Sequence, residues 1–113
     1  MTPIGTIERK SLLSVVLSDW KAKGVEVRSI RFAPGQETGV HSHPCPVIGY
    51  IAEGSAILQV EGQPEQRLEI GQAFYEPADT KILRFDNASS EQPLHFIAMY
   101  LMKGDHPLIV MLE

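Results

Sequence analysis

The stretch "PGQETGVHSHPCPVIGYIAEG", Pro34 to Gly54, decides how this chain is read. It sets two histidines, His41 and His43, one residue apart between turn-forming glycines and prolines. In an extended segment such residues point to the same face. Two imidazoles on one face are a common beginning of a metal site, because neutral imidazole is the most frequent metal-ligating side chain.

Outward from this stretch, turn signals recur at short and regular intervals. They are "KG" at 23–24, "PG" at 34–35, "EG" at 53–54, "EGQP" at 61–64, "IG" at 70–71, "PAD" at 77–79, "DNASS" at 86–90 and "KGD" at 103–105. Between them lie the runs "VEVRSIRF", "PVIGYIA", "SAILQV", "AFYE", "KILRF" and "LHFIAMYLM", rich in Val, Ile, Leu, Phe and Tyr. Val25, Val27 and Ile30 nearly alternate with polar residues, and so do Ile82 to Phe85. Strands this short and evenly spaced predict an all-β sandwich or barrel. Residues 11–23, "SLLSVVLSDWKAK", fit a helix by period, but Val15, Val16 and the serines weigh against it.

The chain has 113 residues, 43% hydrophobic and 21% charged. That is enough apolar material for a packed core, and one domain over 1–113 is expected. The formal net charge of −4 disfavours a nucleic-acid partner. Cys45 is the single cysteine, which excludes an internal disulfide framework and fits a reducing compartment. The N-terminal apolar piece "SLLSVVLS" is too short to span a bilayer and lacks a small-residue cleavage site. A cytoplasmic protein without membrane contact is expected.

The spacing from Gly35 to Gly54 resembles the first motif of the cupin superfamily: a glycine, five residues, His-x-His, a glutamate after three or four more, and a closing glycine. Gly35, His41, His43 and Gly54 fall on it. Gly71 to Asn87 resembles the second motif, with Gly71 and Pro77 in place and Asp79 where a glycine usually stands. The motif core is about 35–87. The resemblance implies a small double-stranded β-helix, the RmlC-like cupin jelly-roll barrel, commonly paired into dimers. "SLLSVVLSDW" and "PLIVMLE" agree with a homodimer, being more apolar than exposed termini should be: they either cap the barrel or meet a second subunit.

Metal-binding cupins use four side chains. The glutamate position here is Val47 and the second-motif histidine position is Ile82, so His41 and His43 are the two retained. Two imidazoles alone bind a divalent ion weakly. Glu76, in "AFYEPAD", shares a face with Phe74 if that run is a strand, and it is the candidate replacement acid. His41, His43 and Glu76 together would resemble a two-histidine, one-carboxylate site for Zn, Fe, Mn or Ni. Tyr50 and Arg84 are candidate pocket residues, offering a hydroxyl and a cation to a bound anion or carbonyl. His95 is read as a sheet-surface residue, His106 as exposed in "KGDHP", and Cys45 as a small buried thiol.

Three functions are compatible with these residues, and none of them names a catalytic residue. The first is a small-molecule-binding cupin with its pocket around His41 and His43, with or without the help of one divalent ion. The second is a metal-dependent dioxygenase- or isomerase-type enzyme acting on a small organic acid. The third is a degenerate cupin serving as a sensor or interaction module. A cupin fold hosts many chemistries, so the fold alone does not choose among them.

Overall fold

A computed structural model of the chain describes residues 5–112. Nine strands run along it: β1 (Gly24–Phe32), β2 (His41–Ser42), β3 (Val47–Glu53), β4 (Ala56–Val60), β5 (Gln66–Leu68), β6 (Ala73–Glu76), β7 (Ile82–Asn87), β8 (Leu94–Met102) and β9 (Val110–Met111). Among the described residues there is no helix, and therefore none long and apolar enough to cross a membrane.

The strands form two antiparallel sheets, in the orders β1-β8-β3-β6 and β5-β4-β7-β2-β9. Their inner faces meet as a jelly roll, the double-stranded β-helix the motifs imply. The six apolar runs of the sequence become β1, β3, β4, β6, β7 and β8. The remaining three strands are two or three residues long, too short to leave a period in the sequence.

All four phenylalanines of the chain, Phe32, Phe74, Phe85 and Phe96, pack in one cluster between the sheets. Phe85 comes from the second sheet and its ring centroid lies 4.7 Å from that of Phe96 and 5.0 Å from that of Phe74. Aromatic pairs at such spacings add about 0.5–1.5 kcal/mol beyond their burial. The cluster has room because Gly49 lacks a Cβ: one built there would overlap the Phe74 ring. Gly54 is fixed for another reason. Its φ is +83°, and a Cβ there would come within 2.5 Å of the Pro93 carbonyl oxygen.

Two alternation readings change. In β1, Val25 and Val27 face outward and are well exposed, whereas Ile30 faces inward with Phe32. The strand has one parity throughout, and the sequence places Glu26 and Arg28 on its inner side. In β7 the pairing with β4 slips between Gln59 and Val60, so Gln59 faces Arg84 and Val60 faces Ile82. The extra residue reverses parity, and Ile82 and Phe85 are both buried.

Residues 11–23 form neither helix nor strand. They run as an arm with one turn near Asp19. Leu12 lies beside Gly71 to Ala73, and the Trp20 indole donates to the Leu101 carbonyl at 3.0 Å. The other flanking segment enters the second sheet: β9 pairs with β2, His41 opposite Met111 and Ser42 opposite Val110.

Candidate metal centre

His41 and His43 sit at the start and just past the end of β2, and both are buried. Glu76 ends β6 and is buried as well. Its inward direction follows from the parity it shares with Phe74. The Oε2 atom of Glu76 lies 3.2 Å from Nε2 of His43 and 3.6 Å from Nε2 of His41. One donor atom from each of the three residues lies within 4.8 Å of the others.

The imidazoles are oriented from behind. Nδ1 of His41 donates to the Gly39 carbonyl at 2.9 Å, and Nδ1 of His43 donates to the Leu108 carbonyl at 2.7 Å. With Nδ1 carrying the proton, each neutral ring presents the lone pair of Nε2 toward Glu76. Two lone pairs and a carboxylate oxygen therefore converge with no donor between them. A proton or a cation must resolve this, and a divalent cation resolves it with all three groups at once. Carbonyl acceptance of the far N–H is the usual support of a metal-ligating histidine. The donor set fits a divalent ion, with two nitrogens and one oxygen leaving further coordination positions open.

Without a cation, protons take over. Burial pulls the His43 pKa down, but the Glu76 carboxylate outweighs it and the net shift is upward. Burial pushes the Glu76 pKa up, but contacts with His41 and His43 outweigh that and the net shift is downward. The pair is thereby driven toward imidazolium and carboxylate.

The triad lies at one end of a cavity of about 360 Å³. Phe32, Phe85, Phe96 and Ala98 give it apolar walls, Leu108 and Ile109 close one side, and Tyr100 lies beside His43 with ring centroids 5.9 Å apart. Burial pushes the Tyr100 phenol up to about 12, so it is a neutral hydrogen-bond donor at physiological pH. The size and lining are those of an organic-ligand pocket.

The strand registers relate Glu76 to the motif positions. Val47 and Glu76 are Cα partners across the β3–β6 ladder, so the carboxylate sits directly opposite the position where the motif has its glutamate. Ile82 is paired with His41 and is fully buried, leaving the fourth motif position aliphatic.

Other expected residues fall elsewhere. Tyr50 and Arg84 are outside the cavity lining, which corrects their placement in the pocket. Tyr50 has outward parity in β3 and is 39% exposed. Arg84 is turned outward, where it binds Asp86 at 2.7 Å and Glu65 at 2.8 Å. His95 is on the outer face, as read, 2.7 Å from the Ser29 hydroxyl. His106 is half-buried rather than exposed, because its ring accepts from the Lys103 amide and donates to the Pro107 carbonyl. Cys45 is fully buried, and burial followed by the Asp79 charge pushes its thiol pKa up, away from the reactive thiolate. The sequence reading missed Arg28, Tyr100 and Leu108. Arg28 has a signal in its parity with Phe32, whereas Leu108 acts through a backbone carbonyl and leaves none.

The profile of the Cupin domain family matches residues 28–100, and the chain belongs to that family. Solved structures share the fold. The DMSP lyase DddQ of Ruegeria pomeroyi superimposes with a TM-score of 0.67 at 20% identity, over 77% of this chain and 42% of the lyase. An oxalate oxidase in complex with the substrate analogue glycolate gives 0.66 at 21%, over 77% and 45%. A cupin-like protein of Thermotoga maritima gives 0.65 at 25%, over 78% and 64%. This chain thus spans less than half the length of the lyase and of the oxidase. No curated protein matches the sequence.

Proposed function

We propose that this chain holds one divalent metal ion on His41, His43 and Glu76 and binds a small organic molecule against it in the adjoining cavity. The observation that carries the reading is the convergence of two Nε2 lone pairs and a buried carboxylate, with both Nδ1 atoms committed to carbonyls. A bound divalent ion would supply a Lewis acid able to polarise an oxygen of the ligand. The chain's own groups do the rest. Glu76 balances the ion's charge, Tyr100 offers a protonated hydroxyl, and the phenylalanine walls exclude water from the ligand's body. The oxidase named above has this fold and by name acts on oxalate, which supports a small organic acid as the ligand.

A second reading has one observation in its favour. The 3.2 Å contact between His43 and Glu76 also suits an imidazolium–carboxylate pair, so the pocket can bind a ligand with no metal. Metal analysis of protein purified without a polyhistidine tag separates the two. The proposal expects close to one equivalent of a transition metal in the wild type and its loss in Glu76→Gln. Wild-type protein that neither retains nor takes up zinc, manganese, iron or nickel sinks it.

A further inference from the structure

The triad accounts for the inner end of the cavity and leaves Arg28 unexplained. Arg28 stands on the inward side of β1 with Ile30 and Phe32, and it lines the same cavity as the triad. Outside the triad it is the one charged residue of that lining among the described residues. Its side chain is about half exposed, so it stands at the rim of the cavity, a charge beside otherwise apolar walls.

Its surroundings leave it available. Across the ladder it faces Ala98, whose small side chain also lines the cavity. Its Nε and Nη2 reach Glu26 Oε2 at 3.0 and 2.9 Å. Both side chains of that pair are about half exposed, 54% and 46%. Such a pair is weak and exchanges readily for another carboxylate. A guanidinium presents a planar fork that matches a carboxylate with two parallel hydrogen bonds.

The register fixes where Arg28 lies relative to the triad. Glu26, Tyr100, Val47 and Glu76 form one row across β1, β8, β3 and β6, and Arg28 belongs to the adjoining inward row. Three strand spacings separate β1 from β6, about 14 Å along the sheet. The long arginine side chain shortens that reach, and the apolar walls fill the interval.

We infer that the cavity takes a small acid with an apolar body, its carboxylate held by Arg28 at the mouth and its other end directed at His41, His43 and Glu76. The inner half of this statement rests on the metal reading above, whereas the contact with Arg28 needs no ion.

The test is calorimetric binding of 3-phenylpropionate and of its uncharged amide, 3-phenylpropionamide, to the full chain, once with chelator and once with zinc. The wild type is expected to bind the acid about tenfold more tightly than the amide, a difference that shrinks with added salt. Arg28→Gln removes the preference, and Arg28→Lys keeps part of it. Glu26→Gln, which frees the guanidinium, tightens the acid several-fold, so the inference does not hang on one variant. Thermal melts of all three are expected to match the wild type, because the side chains are half exposed. An acid preference unchanged in Arg28→Gln, or no acid binding to the wild type at millimolar concentration, overturns the inference. Zinc titration without the acid judges the metal reading separately. Absent zinc binding with an intact Arg28-dependent preference removes the triad's ion and leaves the anion site standing. Normal zinc binding with an Arg28-independent preference does the reverse.

Discussion

Glu76 is buried between two imidazoles, and the protonation of the His43–Glu76 pair decides what the site does at each pH. His43 has a raised pKa, so the stability it contributes is fully present below its ordinary value of 6.5 and is lost as pH rises through the raised value. Glu76 has a lowered pKa, so its contribution is present above its ordinary 4.5 and is lost as pH falls through the lowered value. The metal-free protein is therefore expected to be most stable between 4.5 and 6.5. Metal binding has the opposite slope, because it needs neutral imidazoles, and affinity should rise with pH through the raised His43 value. Urea melts and zinc titrations over about pH 5 to 8 check both slopes; a zinc affinity flat across that range contradicts the second.

A second residue, Gly49, carries a steric prediction. Its missing Cβ is the space the Phe74 ring occupies. Gly49→Ala is expected to cost about 1–3 kcal/mol by overpacking, read as a lower urea midpoint. An unchanged midpoint means that the ring has another place to go. At this scale the sequence was legible where parity and turn signals act. Glu76 could be found from Phe74 two residues before it. Arg28 shares the parity of Phe32, but that signal is masked because its outward neighbours Val25 and Val27 look like the buried side of the strand.

Among elements, the β3–β6 ladder explains how the family's acid can sit in another strand without a change of fold. Val47 and Glu76 face each other, so a carboxylate at either position starts from nearly the same place. Glu76→Val alone should abolish metal uptake, and adding Val47→Glu should restore at least part of it, read by metal content and by the zinc-induced rise in melting temperature. Failure of the double variant to bind zinc while remaining folded argues that the rotamer, and not the ladder position, defines the site. Ile82, opposite His41, is the place for a third imidazole: Ile82→His should raise zinc affinity and destabilise the metal-free protein by a few kcal/mol. The long strands were legible from their apolar runs. The bulge at Gln59–Val60 was not, since one extra residue in a ladder depends on a partner strand that the local sequence does not contain.

For the whole molecule, the edge strand β1 and the arm before it carry exposed apolar side chains. Val25 is 58% exposed, Val27 61% and Val16 88%. A nine-residue edge strand with outward valines is a surface that usually finds a partner. A homodimer is expected, with light scattering giving twice the mass of one chain at micromolar concentration and Val27→Lys shifting it to one. A wild-type monomer under those conditions rules the dimer out. The composition pointed to exposed apolar flanks, and both keep apolar side chains outside, with Ile109, Val110 and Met111 exposed as well as Val16. "PLIVMLE" is drawn into the second sheet as β9, whereas "SLLSVVLSDW" lies as an arm without regular structure.

The carbonyl of Leu108 that steadies His43 lies 65 residues further along the chain. β1 likewise waits for β8, and β2 for β9. A growing chain thus displays His43 long before the carbonyl that holds its ring exists, whereas His41 has its own acceptor two residues earlier at Gly39. Because these pairings join segments far apart in sequence, closure must await β8, β9 and Leu108, and folding is expected to be slow for a domain of this size. Any metal loading would follow that closure: the site comes into being only when the segment around Leu108 arrives.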